Sequence, residues 1–296
     1  MLEVIGTMAA HVLNIIERPK LRDACMVLGF SGWMDGGDVS TGTVDYLVAK
    51  LDAPKIAEID PEEFYIYNFP GSMEVSSLFR PHSTIEDGLI TALAEPTNAF
   101  FCSQEHNLVL FEGREPNFRW RTYADCIFSL AAELDVDMMC FVGSVSGLVP
   151  HTREPRIHAS VSEARLKPLL EQHDLAPSNY EGPASFITYL TAEAKQRGLW
   201  MVNLVVEIPA YVQGKNIKCV EVATRKVADV LRLSLDLSDL RLMGEQFVQR
   251  LNETLAERPD LAEQIRNIEE DYDKEVVTTE ETDLKTWFEK QDIRLD

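Results

Sequence analysis

Long apolar runs, paired cysteines and positive charge are all scarce in this chain of 296 residues. Because no stretch approaches the roughly 20 apolar residues that a membrane-spanning helix needs, a membrane protein is not expected. Residues 1–6 have no basic segment before their apolar run, so a secretory signal is not expected either. The five cysteines are odd in number and lie far apart, which favours neither a disulfide framework nor a cysteine metal site. A reducing cytoplasm is the predicted location.

The balance of charge excludes two classes of partner. With 28 basic against 49 acidic residues the formal net charge is −21, which repels nucleic acid phosphates and anionic membranes alike. The last fifth of the chain, from Asp236 onward, holds 18 acidic and 8 basic residues. This asymmetry predicts that residues 1–235 form a core domain and that the rest is a separate acidic module.

Short apolar runs alternate with helical patterns along residues 1–235, which is typical of βα units built around a sheet. Strands are predicted at 11–16, 24–29, 55–59, 64–67, 107–111, 137–142 and 199–208. Helices are predicted at 39–51, 123–134, 160–173, 184–197 and 218–233. The run at 200–206 is apolar enough to be a central strand that is covered on both faces. The predicted fold class is therefore α/β.

The acidic module carries two apolar stripes at steps of three or four residues, which predict a helical hairpin over 236–275. The first stripe consists of Leu240, Met243, Phe247, Leu251 and Leu255, and the second of Leu261, Ile265, Ile268 and Tyr272. Pro259 suits the first turn of the second helix. Residues 276–296 show no sustained period and are predicted to be a flexible or partner-ordered acidic tail.

A glycine-rich loop at 29–37 lies between a predicted strand and a predicted helix. Its Gly32, Asp35, Gly36 and Gly37 are candidate ligand-binding residues, since backbone N–H groups at a helix N-terminus can hold an anion. The loop lacks the Gly-Lys-Ser/Thr of a nucleotide-binding loop and the glycine spacing of a dinucleotide fold. The alternative is a tight turn whose Asp35 or Asp38 caps the following helix.

A second loop, 143–147, follows another predicted strand and adds Ser144 to the candidates. The Gly-x-Ser-x-Gly elbow of hydrolases is absent in this register. No ordered Ser–His–Asp set and no histidine spacing typical of metal sites is present, so we predict no catalytic residue, no metal and no cofactor. Loops that follow parallel strands gather at one edge of a sheet, so 29–37 and 143–147 are expected to lie side by side.

Three further segments complete the candidate ligand-binding set. His151 and Arg153 lie in a polar, proline-bounded stretch that suits contact with a carboxylate or phosphate, or a surface crossover. Glu115 opens a segment rich in aromatic and guanidinium groups, which suits an ion pair at an interface. Tyr180 begins a turn that leads into a predicted helix.

Four motifs follow one another in a recognisable order: 29–37 (Gly-Phe-Ser-Gly-Trp-Met-Asp-Gly-Gly), 113–116 with 119–121, 149–153 and 180–183. Together they resemble the successive signatures of the proteasome assembly chaperone type two family over about residues 10–240, and the acidic extension resembles its bacterial branch. The resemblance implies a three-layer α/β/α core similar to that of nucleoside phosphorylases. It also implies homo-oligomers, with a trimer favoured, and relatives that escort proteasome subunits.

From these observations the expected function is a non-catalytic protein-assembly chaperone or scaffold with protein partners. The alternative is an enzyme or small-molecule sensor with a phosphorylase-like phosphate or nucleotide pocket. Family members that dock on the proteasome can end in a hydrophobic residue, a tyrosine and any residue. This chain has Arg294 and Leu295 at those positions, so direct docking on the proteasome is not expected.

Overall fold

The computed structural model describes residues 11–290, with side chains described through Lys274. The predictions made for residues 1–6 and for Arg294 and Leu295 lie outside the described residues. Eleven strands are present within 11–290: β1 (Leu13–Ile15), β2 (Ala24–Ser31), β3 (Lys55–Ile59), β4 (His82–Glu86), β5 (Leu89–Ala94), β6 (Ala99–Ser103), β7 (Leu108–Arg114), β8 (Val136–Gly147), β9 (Ile157–Val161), β10 (Ala176–Pro177) and β11 (Trp200–Pro209).

Nine of these strands form one mixed sheet in the order β1-β3-β6-β7-β2-β8-β11-β9-β10. Its centre is parallel, since β2 pairs in parallel with both β7 and β8, and β8 pairs in parallel with β11. The strands outside this centre run antiparallel, except that β10 is parallel to β9. As predicted from its apolar run, β11 lies inside the sheet and most of its residues are buried.

Eight α-helices accompany the strands in the described range: α1 (Val39–Lys50), α2 (Met73–Ser77), α3 (Trp120–Glu133), α4 (Lys167–Gln172), α5 (Phe186–Arg197), α6 (Ile217–Val230), α7 (Ser238–Ala256) and α8 (Pro259–Lys290). The apolar residues of α3 and α5 belong to one core cluster, and those of α1 and α6 belong to a second. The sheet therefore has helices on both faces, which confirms the predicted three-layer α/β/α class. The likeness to nucleoside phosphorylases stays a prediction.

One core is rich in aromatic side chains and the other in aliphatic ones. Around Tyr123, which is fully buried, the rings of Phe64, Phe111 and Phe186 lie with centroids 5.0 to 6.3 Å away. The opposite core is built mainly from valine and leucine of β2, β8, β11, α1 and α6. Tilted and edge-to-face ring contacts such as these stabilise a core beyond the area that they bury.

Three predicted elements were wrong. Residues 64–67 form no strand, because Phe64 is buried against Tyr123 and Tyr65 is held by Asn98 and Arg114. The helix predicted at 160–173 is instead strand β9 followed by a short helical segment, because antiparallel pairing with β11 claims the residues up to Val161. The predicted loop 143–147 is the end of β8, paired with β11 as far as Gly147.

A segment that the sequence did not reveal lies between β3 and β6. Residues 66–95, which we call the arm, contain α2 and the two-stranded hairpin of β4 and β5. The base of the arm is held by Asn117, whose Oδ1 accepts from the Ile66 N–H at 3.0 Å. Phe69 and Phe79 stack within the arm at 5.0 Å between centroids.

The acidic module begins with the predicted helical hairpin of α7 and α8. The second helix starts at Pro259, as expected, and continues to Lys290. Helical backbone is therefore present over 276–290, where the sequence showed no sustained period. Whether this segment is flexible stays a prediction, and residues 291–296 lie outside the described part. None of the described helices has the length and apolar character required to cross a bilayer.

Candidate functional site

The parallel strands β7, β2, β8 and β11 end at the same edge of the sheet, which we call the carboxyl edge. Ligands of open α/β sheets bind at this edge. The loop after β2 lies against the end of β8, since the Ser144 N–H donates to the Met34 carbonyl at 2.9 Å. An isolated bridge also joins Asp35 and Ser144. The expected adjacency of segments 29–37 and 143–147 is confirmed.

Asp35 closes the N-terminus of α1. Its Oδ1 accepts from the backbone N–H groups of Ser40 and Thr41 at 2.8 and 3.1 Å, and its Oδ2 accepts from the Thr41 hydroxyl at 2.8 Å. Burial raises the pKa of Asp35 to about 6, although these three hydrogen bonds act in the opposite direction. Two of the N–H groups at this helix N-terminus, those of Ser40 and Thr41, are therefore occupied by the chain's own carboxylate. Asp38 makes no capping hydrogen bond.

The glycines of this loop are packed closely against neighbouring elements. A Cβ on Gly36 would lie 2.8 Å from Ile208, and one on Gly37 would lie 2.9 Å from Asn216. Gly37 also has a φ of 63°, a conformation that favours glycine. The Ser144 hydroxyl donates to the Gly36 carbonyl at 2.6 Å. Ser144 is thus fully buried and bonded within the fold.

Glu115 closes a second helix N-terminus at the same edge. Its Oε1 accepts from the Phe186 N–H, the first of α5, at 2.8 Å, and its Oε2 accepts from the Trp33 N–H at 3.1 Å. Gly32 allows this approach, because a Cβ there would lie 3.1 Å from the Glu115 Cβ and its φ is 132°. Glu115 therefore joins the loop after β2 to α5 rather than pairing with a basic group.

The third helix N-terminus at this edge belongs to α6. The Asn216 side chain accepts from the Cys219 N–H at 3.1 Å, and the Asn216 N–H donates to the Gly37 carbonyl at 2.8 Å. Each of the helices α1, α5 and α6 is thus capped by a side chain of this chain. Any phosphate bound at one of them would first have to displace that side chain.

His151 is buried against the acidic module. Its backbone N–H donates to the Tyr211 hydroxyl at 2.8 Å, and its Nδ1 lies 2.7 Å from the same oxygen. Nε2 lies 3.0 Å from the Asn252 Oδ1 on α7. The tautomer that satisfies both contacts carries its proton on Nε2 and accepts from Tyr211 at Nδ1. His151 therefore joins the loop after β8 to α7 and has no free ring nitrogen.

Arg153 meets a carboxylate, as the sequence suggested, but the carboxylate belongs to α8. The guanidinium forms two parallel bonds to Asp273, Nε to Oδ1 at 2.9 Å and Nη2 to Oδ2 at 2.8 Å. These bonds lower the pKa of Asp273. The Tyr272 hydroxyl donates to the Glu154 carbonyl at 2.7 Å, and the Arg156 guanidinium lies 4.1 Å from the Tyr272 ring centroid.

Tyr180 is exposed, and its hydroxyl donates to the nearby Pro183 carbonyl at 3.1 Å. The sequence candidates therefore separate into three groups. Gly32, Asp35, Gly36, Gly37, Ser144 and Glu115 lie together at the carboxyl edge. His151 and Arg153 bind the acidic module, and Tyr180 stands apart in its turn.

Sequence reasoning missed a carboxyl group near the end of β7. Burial raises the pKa of Glu112, and the neighbouring Asp45 and Asp35 raise it further, while Lys215 opposes the shift. Glu112 also lines a cleft of about 970 Å³ beside the arm's base, together with Lys55. The cleft has several more carboxylates, contributed by Glu58, Asp60, Glu62 and Glu95. The sequence signal that could have revealed Glu112 is that it is the one acidic residue in the largely apolar strand β7.

Apolar side chains extend from three adjacent loops of the carboxyl edge. Trp33 follows β2, Phe118 follows β7 and Leu148 follows β8, and we call these three residues the rim. The exposed fraction is 69% for Trp33 and 80% for Leu148. Over the described residues, no group of three or more histidine, cysteine, aspartate and glutamate side chains could hold a metal ion.

Fold and site together define a three-layer α/β/α protein in which side chains of the same chain cap the N-termini of α1, α5 and α6 at the carboxyl edge. Residues 29–255 match the model of the PAC2 family, and the chain belongs to this family. The resemblance to proteasome assembly chaperones that the four motifs predicted is confirmed. No curated protein matches the chain.

Solved structures extend this assignment. A proteasome-assembly chaperone homologue from Mycobacterium tuberculosis is 30% identical, with a TM-score of 0.70, over 81% of this chain and 98% of that one. A PAC2 family protein from Streptomyces avermitilis is 25% identical, with a TM-score of 0.67, over 78% and 95% of the two chains. An M. tuberculosis protein of unknown function has the same fold, with a TM-score of 0.81 at 21% identity over 92% of each chain.

Proposed function

We propose that this protein is a non-catalytic assembly chaperone or scaffold that acts through contacts with protein clients and with further copies of itself. The observation that carries the proposal is the composition of the carboxyl edge. Its helix N-termini are closed by Asp35, Glu115 and Asn216, while Trp33 and Leu148 project into solvent. An edge of this kind suits protein contacts, since buried apolar anchors supply most of the binding energy of protein interfaces.

Family membership supports the same role. One structural relative at 30% identity is named a proteasome-assembly chaperone homologue, so unassembled proteasome subunits are the first clients to test. Self-association, with a trimer favoured, belongs to this proposal, as does a cytoplasmic location.

The alternative, a phosphate or nucleotide pocket, has less support. The cleft beside the base of the arm is lined by five carboxylates against Lys55 and His11. An acidic lining of this kind repels a phosphate group. At the helix N-termini of the carboxyl edge, the N–H groups of Ser40 and Thr41 in α1 already bind Asp35, and that of Phe186 in α5 already binds Glu115.

The decisive experiment mixes the full-length protein with separately purified, unassembled proteasome subunits from the organism that encodes it. We expect stoichiometric co-elution in size-exclusion chromatography and a higher yield of assembled particles, with no turnover of nucleosides or nucleotides. An unrelated protein of similar negative charge controls for non-specific binding. Saturable nucleotide binding or turnover, without any bound subunit, would contradict the proposal.

A further inference from the structure

The arm exposes an unusual density of large apolar side chains. The exposed ones are Tyr67, Phe69, Met73, Val75, Leu78, Ile85, Leu89, Ile90 and Leu93. All of them lie within a segment of 30 residues. Monomeric proteins seldom leave a contiguous apolar surface of this kind in water, and such surfaces mark interaction sites. The arm is therefore the first place to look for an unassigned contact.

The hairpin of the arm is apolar on both of its faces. Ile85 and Ile90 are directly paired and share one face. Leu93 lies on this face too, because the register shifts at Thr91 and Leu93 pairs with Ser83, two residues from Ile85. Leu89 lies on the opposite face with Ala92 and Ala94. Leu89 is 71% exposed and Ile90 72%. A partner that covered one face would leave the other in water, so the hairpin fits between surfaces rather than on a flat one.

The described part of this chain does not provide those surfaces. Within residues 11–290, β4 and β5 pair only with each other, apart from the main sheet. An isolated two-stranded hairpin is at best marginally stable in water. A hydrogen bond between Ile66 and Asn117 joins the base of the arm to the core, while α2, β4 and β5 contain no buried residue. The apolar body of the arm therefore requires a surface from outside the chain.

The carboxyl edge of a second copy supplies an apolar surface of the required kind. The rim residues Trp33, Phe118 and Leu148 follow three neighbouring strands in the order β7-β2-β8, so they lie along one edge. They are exposed, as the apolar side chains of the arm are. One molecule thus carries two unpartnered apolar surfaces of similar character.

The distribution of charge is compatible with a contact between the arm of one copy and the rim of another. Two copies that each carry a net charge of −21 repel one another, so they can approach at least cost where acidic residues are sparse. Residues 88–94 contain no charged side chain, and the three rim residues are uncharged. The acidic residues Glu86, Asp87 and Glu95 lie on either side of 88–94, so the uncharged surface is confined to β5 and the turn before it.

Building on the self-association proposed above, we propose that the arm of one copy packs against the rim of the next copy. The arm and the rim are different surfaces, so one contact leaves a rim on one copy and an arm on the other. These two either pair with each other in a two-fold dimer or each bind a further copy head to tail. A head-to-tail contact closes into a ring when its rotation fits. The arm is then the element that links copies, and the contact covers apolar groups that a single chain leaves in water.

The first test measures the assembly of the full chain by sedimentation velocity over a range of concentrations. The arm variant combines Leu89→Glu, Ile90→Glu and Leu93→Glu. We expect its dissociation constant to rise about 100-fold or more. The control adds the same charge at exposed polar positions, through Gln104→Glu, Gln196→Glu and Gln264→Glu, and should assemble almost as the parent does. Circular dichroism and Tm confirm that each variant is folded.

A second pair of variants tests the rim. Trp33→Asp changes a rim residue, whereas Trp200→Asp makes the same change at the opposite end of the sheet, where β11 begins. Only the first is expected to weaken assembly. Equal effects of both, or no effect of either, would contradict the assignment of the rim.

Cross-linking identifies which surfaces meet. Four of the five native cysteines are buried and Cys25 is partly buried, so introduced cysteines react preferentially with a short bismaleimide. We expect a mixture of Leu89→Cys and Leu148→Cys proteins to give cross-linked dimers, and a mixture of Leu89→Cys and Gln196→Cys proteins to give none. Arm-to-arm dimers alone overturn the proposal. An internal cross-link in a monomeric double variant also overturns it.

The outcomes separate this contact from the proposed function. A parent protein that captures proteasome subunits while staying monomeric overturns the arm–rim contact and leaves the chaperone role standing. A parent that assembles through the arm and rim but binds no client supports the contact and removes the chaperone role. Assembly that is unaffected by the arm variant overturns the contact whatever the clients do.

Discussion

The acidic helical hairpin and the arm are both attached to the α/β core, but the hairpin buries apolar side chains against the core whereas the arm leaves them exposed. The hairpin is held along its length, since Leu240, Ile265 and Tyr272 are buried and Arg153 and His151 bond to it. The arm bonds to the core at its base, and its helix and hairpin contain no buried residue. The comparison indicates that the hairpin belongs to the folded monomer, whereas the arm is available for a contact between molecules.

Removing the whole acidic module should have the largest effect. Deletion of 236–296 uncovers the surfaces on which Leu240, Ile265 and Tyr272 are buried, and each such side chain contributes about 1.5–3 kcal/mol. We expect a lower Tm, a changed oligomer or aggregation, measured by thermal unfolding and size-exclusion chromatography. A truncated protein with the stability and assembly of its parent would show that the hairpin is an independent appendage.

A matched pair on α7 tests the packing of the hairpin more finely. Leu240 is 2% exposed and Leu242 is 54% exposed. Leu240→Ala should lower the free energy of unfolding by about 2–4 kcal/mol, because the cavity it leaves cannot fully close. Leu242→Ala should change it by less than about 0.5 kcal/mol. Urea unfolding measures both, and similar losses for the two would mean that α7 does not pack as described.

The buried carboxyl group of Asp35 should make the stability of the core depend on pH. Its pKa in the folded protein is about 6, raised mainly by burial from 3.8. The raised pKa contributes stability that is fully present below about pH 3.8 and is lost as pH rises through about 6. Asp35→Asn keeps an acceptor for the Ser40 and Thr41 N–H groups and removes the titration.

The stability of the Asp35→Asn variant relative to the parent should therefore increase between pH 4 and pH 7. The expected gain is on the order of 2 kcal/mol, measured by urea unfolding across this range. Glu112 titrates in both proteins, but its pKa is raised less in the variant because the Asp35 charge is absent, and this difference adds to the same gain. Parallel pH profiles would mean that Asp35 does not titrate in this window.

Truncation of the last segment should have a small effect. The described contacts between α8 and the core end at Tyr272 and Asp273. Deletion of 276–296 is expected to change Tm by less than about 2 °C and to leave the oligomer unchanged. A loss as large as that caused by deleting 236–296 would place the important contacts beyond Asp273.

The smallest effect on the monomer is expected in the arm. Leu89→Ser with Leu93→Ser removes exposed apolar groups, so the free energy of unfolding should change by less than about 0.5 kcal/mol. Urea unfolding must be performed at low protein concentration, because assembly would add to the apparent stability. A loss above about 2 kcal/mol under these conditions would show that the arm packs on its own chain.

The wrong and missing predictions have local physical causes. Residues 160–173 combine apolar positions that fit a helix, and nothing local reveals that β11 offers an edge with which 157–161 can pair. The arm escaped prediction because β4 is largely polar, so the apolar β5 had no recognisable partner strand in the sequence. Most of the candidate site residues were correctly grouped at one edge, but their hydrogen bonds depend on partners that lie many residues away.

Sequence alone was sufficient for the α/β class, the central strands and the presence of two helices after residue 236. Each of these follows from the spacing of apolar residues, which local geometry converts directly into a buried face. The order of the motifs was likewise enough to identify the family. These features depend on neighbours that are close in the chain.

Only the tertiary structure decided what the candidate residues do. Asp35 could have bound a ligand until Ser40 and Thr41 were seen to donate to it. Glu115 faced no predicted partner, yet it caps α5 from 71 residues away. Whether a polar group is free or satisfied depends on which distant donors the fold brings within about 3 Å. The same is true of an apolar side chain, which is buried or exposed according to what the rest of the chain places over it.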